Sequence, residues 1–224
     1  MNRHRAPDEL LLDYAAGVLP EGPALAVALH VALDAEAWRT VRRLRGLGGA
    51  LLESEAGAEM GEAALEQALA RLDDVPVEGP VDDPRPAATR RPGLAAGFDW
   101  APAPLRPYLA GKGWRRAFGG FEEIRLDLHG DSHRIAVLRL EPGRGLPMHR
   151  HTGHEYTVVL QGGFTDSTGN YGVGDFAMGP GPVAHEPIAD PGEPCIALIV
   201  LEEPIVLTGL WARLFNPLLR RGWM

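Results

Sequence analysis

His149, His151 and Glu155 lie close enough along the chain to share one metal ion, and their spacing says how. Successive side chains of an extended strand point to opposite faces, so His149 and His151 face the same side. Glu155 follows the turn signal Thr152-Gly153, keeps that parity and can return on a neighbouring strand. Two imidazoles and one carboxylate then converge, leaving room for a fourth ligand and an open position. That donor set suits a divalent transition metal: zinc, iron, manganese or nickel. His185 is the fourth candidate, on a later strand beyond the turn-rich stretch from Gly174 to Pro182. His154 has the opposite parity and should point away, while His129 and His133, flanking the Gly130-Asp131 turn, are expected in solvent. A bare His-x-His is common by chance. The added carboxylate and the flanking Gly143 and Gly162 make this one a ligand pattern.

The elements that must position these side chains are strands. From about Trp100 onward, apolar residues alternate in short runs, Ile124 to Leu128, Ile135 to Leu140 and Tyr156 to Leu160, separated by glycine or proline turns. The run Cys195 to Leu201 is apolar throughout and is expected to be a central strand. Short strands with frequent turns make a sandwich, barrel or jelly roll. The single cysteine, Cys195, excludes an intramolecular disulfide and a Cys-based zinc finger, and at the head of that strand it reads as a buried, inert thiol.

Residues 1–74 are of another kind. Asp8 can cap a helix that runs through Ala16 and closes at Gly17, and Pro20-Glu21-Gly22-Pro23 opens an apolar run to Leu33. Ala35 to about Ser54 carries Trp38, Val41, Leu44, Leu47 and Leu51 at helical steps, and about Glu62 to Leu72 repeats the pattern. Four short helices make a small bundle with little core of its own, and its surplus apolar surface favours a binding partner. The first and third helices are the candidates for that contact. Between them and the strands, Pro76, Gly79, Pro80, Pro84, Pro86 and Pro92 interrupt any periodicity. The expected organisation is therefore α+β: a helical domain over 1–74, a semi-extended linker over 75–98 that lets the halves move independently, and an all-β domain over 99–224.

Composition narrows the function. With 45% hydrophobic and 23% charged residues, the 224-residue chain is ordinary for a globular protein, which excludes wholesale disorder. No apolar stretch approaches the roughly 18–20 residues of a membrane span. No apolar run follows the basic N-terminus as it would in a secretory signal. A cytoplasmic chain without a membrane partner is expected. A net charge of −8 argues against direct nucleic-acid binding, which draws on a basic excess, and suits a basic protein partner.

Gly143, His149, His151, Glu155 and Gly162 stand at the spacings of the first cupin motif and match it in full. Gly174, Pro180 and His185 meet the second, which departs at Pro182, where glycine is usual, and at Ala189, where asparagine is usual. The resemblance implies a jelly-roll cupin barrel whose metal ligands are His149, His151, Glu155 and His185. The N-terminal half narrows it further. The segment Asp8 to Gly17, a helix containing His30, a further helix, a linker and a cupin together resemble the ChrR-type anti-sigma factors, as do Tyr171 to Phe176 and Ala189 to Cys195. This likeness covers nearly the whole chain.

The family resemblance implies an anti-sigma factor rather than an enzyme. Its helical domain would sequester an extracytoplasmic-function sigma factor, and its cupin, holding one divalent ion (zinc before iron, manganese or nickel), would release that partner under singlet oxygen or related oxidative stress. One family feature is not kept. The N-terminal zinc pattern, a histidine followed by two spaced cysteines plus an early histidine, becomes His30, Asp34 and Ala37, with His4 near the start. A stable structural zinc needs four ligands, normally with thiolates, so the helical domain is expected to be zinc-free. Two alternatives stand beside this reading. One is a cupin metalloenzyme such as an iron-dependent dioxygenase, since three histidines and a glutamate with open positions suit oxygen chemistry. The other is a binding module whose helices contact a different basic partner. A stand-alone dioxygenase has no need of the helical half and its linker.

Overall fold

A computed structural model describes residues 4–74, 98–117, 120–179, 181, 183–208 and 216. The expected linker over 75–98 lies outside the described residues except for Phe98, and so do Pro180 and Pro182 of the second motif. Four helices come first: α1 (Asp8–Ala16), α2 (Glu21–Leu33), α3 (Ala35–Ser54) and α4 (Ala64–Asp74). Pro7, rather than Asp8, occupies the cap of α1, and Asp8 is its first helical residue, where a carboxylate favours the positive end of the helix dipole. Gly17 closes that helix in the left-handed region, at φ 73°. Asp34 caps α3, its carboxylate accepting the Ala37 amide at 2.6 Å.

A short helix α5 (Arg106–Leu109) then leads into eleven strands: β1 (Arg115–Arg116), β2 (Glu122–Leu126), β3 (Arg134–Leu140), β4 (His149–Arg150), β5 (Glu155–Gln161), β6 (Gly163–Asp166), β7 (Gly169–Gly172), β8 (Phe176–Met178), β9 (Ile188–Ala189), β10 (Cys195–Leu201) and β11 (Val206–Leu207). The large sheet runs β1-β2-β3-β10-β5-β8, a second runs β7-β6-β9, and β11 pairs with β4. With helices first and antiparallel sheets after, the chain is α+β, as the sequence implies. Strand β10 is central, as its unbroken apolar run predicts.

That run has a physical reason: the large sheet is buried on both faces. Ile135 and Val137 of β3, Val158 and Leu160 of β5, Phe176 of β8, and Ile196, Leu198 and Val200 of β10 pack with the helices. The alternate residues Leu138, Leu140, Val159, Ala177 and Cys195 face the barrel interior with Phe164, Tyr171 and Ala189 of the smaller sheet. A strand covered on both sides reads as continuously hydrophobic.

The helices have little core of their own, and much of their apolar surface is covered by the barrel. Leu25, Ala26, Val27 and Leu29 of α2 are almost wholly buried, in one continuous core with the large sheet. A helix that is apolar on every side must be covered on every side, and here the barrel covers what α1 and α3 leave. No described residue of α4 enters that core; Leu65 and Leu69 are 69% and 53% exposed. The far end of α3 is open as well, with Leu47, Leu51 and Leu52 in solvent. No single described helix is long and apolar enough to cross a membrane.

Candidate metal centre

His149 lies on β4, opposite Leu207 of β11, and on its other side exchanges backbone hydrogen bonds with His185 at 3.0 and 2.8 Å. That reciprocal pair sets the two histidines directly across from each other. His151 follows β4 immediately, two residues from His149 and so of the same parity. Glu155 opens β5, in register with Thr157 and Val159, whose parity faces the barrel interior. The turn after His151 carries the chain from the small β4–β11 pair to the large sheet, so Glu155 arrives from another sheet and not from a strand paired to β4. The expectation of a neighbouring strand is corrected on that point, but the convergence stands. One ligand atom from each of His149, His151, Glu155 and His185 lies within 4.8 Å of all the others, and all four residues are buried.

The hydrogen bonds around the cluster fix its protons. His149 Nδ1 donates to the Pro147 carbonyl at 2.7 Å, and since a carbonyl only accepts, Nε2 is left as a bare lone pair. His185 Nδ1 lies 2.8 Å from Asp166 Oδ2. Burial opposes ionisation of Asp166, yet hydrogen bonds from Thr168 and His185 outweigh it and hold the carboxyl below its usual range. The carboxylate thus keeps the His185 proton on Nδ1 and turns Nε2 into an acceptor. Burial pushes His149 down to about 4, against the bond to Pro147, so its imidazole is neutral. Glu155 is held below the ordinary carboxylate range: burial opposes this, but the close approach of the His151 ring and the other imidazoles around it prevail.

The ligand atoms of the four side chains crowd one another. His151 Nε2 stands 2.9 Å from His185 Nε2 and 2.7 Å from Glu155 Oε2. Despite that approach, Glu155 Oε2 receives no well-directed hydrogen bond among the described residues, and His151 Nδ1 has none either. Three nitrogens and one carboxylate oxygen brought this close together are the donors a divalent transition metal takes. The residues fit such an ion. Thr157 steadies the carboxylate by donating its hydroxyl to Oε1 at 3.1 Å. Gly179 permits the close approach, because a Cβ there would stand 2.7 Å from Glu155 Oε2. An apolar cavity lined by Leu138, Leu146, Phe164, Ala177 and Ile199 borders the cluster, and Ala189, at the second motif's departure, is part of its wall.

The other histidines separate. His154 is exposed and bonded to Glu202 at 2.9 Å, pointing away as its parity requires, and His129 is exposed. His133 differs from expectation: it is half-buried, its Nδ1 2.6 Å from Asp131 Oδ1. Cys195 is buried, and burial with the nearby Asp190 charge pushes its thiol up to about 12, so it stays unreactive at neutral pH. Asp34 is taken up as the α3 cap. Sequence reasoning missed Asp166 and Thr157, which orient the ligands. Nothing in the order of residues joins Asp166 to His185, since only the β6–β7 hairpin brings them together.

Residues 110–204 match the family described as the ChrR Cupin-like domain. Over 223 residues the chain is 34% identical to the anti-sigma-E factor ChrR of Cereibacter sphaeroides, covering 97% of this chain and 98% of that protein. It is also similar to the anti-sigma ChrR of Rhodobacter sphaeroides, whose crystal structure is in complex with SigE. The TM-score is 0.72 at 32% identity, covering 89% of this chain and 98% of that one.

Proposed function

This chain belongs to the ChrR-type anti-sigma factors, and we propose that it holds an extracytoplasmic-function sigma factor inactive in the cytoplasm and releases it when its metal-binding cupin meets oxidative stress, singlet oxygen or a related signal. The observation that carries the reading is the likeness, along nearly the whole chain, to a ChrR solved with its sigma factor. The surface agrees with it. Leu47, Leu51 and Leu52 of α3 and Leu65 and Leu69 of α4 are 53–76% exposed, on helices that this chain's own core leaves uncovered. Apolar anchors with charges around them are what a helical partner would bury. In this assignment residues 1–74 hold the partner, 75–98 connect, and 99–224 sense.

The ligands proposed for one divalent ion, zinc first, are His149, His151, Glu155 and His185. When bound, the ion supplies Lewis acidity and a cross-link between segments of different sheets. The chain's own residues offer a route outward from them. At one end of β8 the Gly179 amide donates to the Glu155 carbonyl at 3.1 Å; at the other the Phe176 amide donates to the His4 carbonyl at 2.9 Å. A displacement of Glu155 thus acts on a three-residue strand whose far end grips the N-terminal arm. On this reading the cupin is a sensor and not a catalyst.

The test is co-expression of the full chain with an extracytoplasmic-function sigma factor from the same genome. A stable complex is expected, lost when Leu51 and Leu69 are both changed to Asp, while the fold survives. Failure of the wild-type chain to hold any such sigma factor would overturn the reading and put the cupin-enzyme alternative first.

A further inference from the structure

His30 occupies the place where the family's pattern has the first ligand of an N-terminal zinc site, and the residues around it do not fit a metal. Asp34 spends its carboxylate on the α3 cap, and Ala37 has no donor to offer. His30 itself is fully buried, with both ring nitrogens engaged. Its Nδ1 lies 2.8 Å from the carbonyl of Gly174, which only accepts, so Nδ1 carries the proton. Its Nε2 then accepts the Ala6 amide at 3.3 Å. The neutral imidazole satisfies a donor from the N-terminal arm and an acceptor from the turn before β8. Phe176 of β8 packs edge-on against the ring at 5.5 Å.

Further contacts around this point cross between the helical half and the barrel. The His4 amide donates to Asp175 at 3.2 Å, the His4 carbonyl accepts from Phe176, and the His4 ring lies 4.3 Å from Tyr171. At its other end α2 has no side-chain cap of its own, and Asp131 of the β2–β3 turn supplies one, accepting the Gly22 amide at 2.6 Å. Gly22 lets the helix approach the sheet closely, since a Cβ there would stand 2.6 Å from Ile135 Cδ1. Helix α2 is thus fastened to the barrel at both ends.

We propose that His30 is the pin of an interdomain latch that replaces the N-terminal metal: a hydrogen-bonded imidazole fastens the arm and α2 to the barrel, so that the helical half is ordered by the cupin instead of by an ion of its own. The inference concerns how the halves are joined and does not depend on which partner the helices hold.

Hydrogen exchange on the full-length protein tests it. His30→Gln keeps a polar side chain of similar size but cannot make both bonds in this geometry. It should speed exchange of the Ala6 and Phe176 amides and of the last turn of α2 by about tenfold, the order expected for loss of a buried hydrogen bond. Exchange in β3 and β10 should not change, which would show that the barrel is intact. Unchanged protection at Ala6 and Phe176 would overturn the latch. Zinc content gives an independent reading in the full-length His149→Ala/His151→Ala protein, where the cupin ligands are removed. That protein should retain no zinc after dialysis; stoichiometric zinc that disappears on adding His30→Gln would show that His30 is a metal ligand and refute the proposal. A failure of the cupin assignment alone is distinguishable, because the wild type would then bind no zinc while the exchange pattern held.

Discussion

Replacing Asp166 by Asn tests the metal centre through a residue that touches no ion. Asp166 is nearly buried, with one oxygen on His185 Nδ1 at 2.8 Å and the other accepting the Thr168 amide and hydroxyl at 2.7 and 2.6 Å and the Gly169 amide at 3.2 Å. Every neighbour is a donor, so two acceptor oxygens are needed. An asparagine has one. If it serves Thr168 and Gly169, its NH₂ faces His185 Nδ1, and the imidazole can relieve the clash only by moving its proton to Nε2, the ligand position. Loss of such an outer-shell partner typically costs about 10–100-fold in metal affinity, or about 1.4–2.8 kcal/mol. Competition between the protein and a chromophoric chelator for zinc measures it directly. Thr168→Val is the control, since it removes one bond to Asp166 but leaves the carboxylate and the tautomer in place, and its loss should be under about threefold. Wild-type zinc affinity in Asp166→Asn would refute the claim that this carboxylate sets the ligand tautomer.

Gly179→Ala should lower zinc affinity by at least about tenfold in the same titration, because its Cβ would displace Glu155 Oε2 from a position 2.7 Å away. Leu198→Ala should cost about 2–5 kcal/mol in urea unfolding, since the side chain is wholly buried between β10 and the helices, and α2 should lose protection along with the sheet. Burial holds the His30 imidazole below its ordinary pKa, against the Gly174 bond and the Asp34 and Asp175 carboxylates, while Arg5 adds to the depression. The folded group therefore takes a proton less readily than the unfolded one. Its stabilising contribution is complete above about pH 6.5 and is lost as pH falls through the folded value. The urea midpoint should drop between pH 7 and 5.5 in the wild type and drop less in His30→Gln; equal slopes would contradict this.

Much of this was legible in the residue order, and the exceptions share a cause. Helix ends were readable where their signals are local: Gly17 in the left-handed region and Pro20 before α2. The convergence of His149, His151 and Glu155 was readable because strand parity is also local. What escaped was long-range. The β6–β7 hairpin is punctuated by Gly163, Gly169 and Gly172, which read as turns, yet two of these glycines sit in paired positions where the sheet approaches other groups closely; a Cβ at Gly163 would meet the Tyr171 carbonyl at 2.7 Å. Missing that hairpin meant missing Asp166. The seam between the halves escaped in the same way. The all-round apolar character of α2 says that it is covered, but only the tertiary structure says by what.

That covering changes how the two halves communicate. A helical unit of this size buries too little surface to stand alone with confidence in one arrangement, and small domains usually add a staple. The family's pattern supplies a metal; here the added surface is the barrel itself, with Leu25, Val27 and Leu29 packed in one core with Val137, Val158 and Leu198. A shared core is a thermodynamic link. Any event that loosens the large sheet lowers the stability of docked α2, and any partner that prefers one arrangement of the helices acts back on the barrel with the same coupling free energy. Free movement on a linker would give no such coupling, since two independent bodies have nothing to exchange. On the proposed function, release of a partner would need only a modest change at β8 or in the fastening of α2, a few hydrogen bonds among the many that hold the chain. Because the latch is polar and the core beneath it apolar, the first can open while the second keeps the barrel folded.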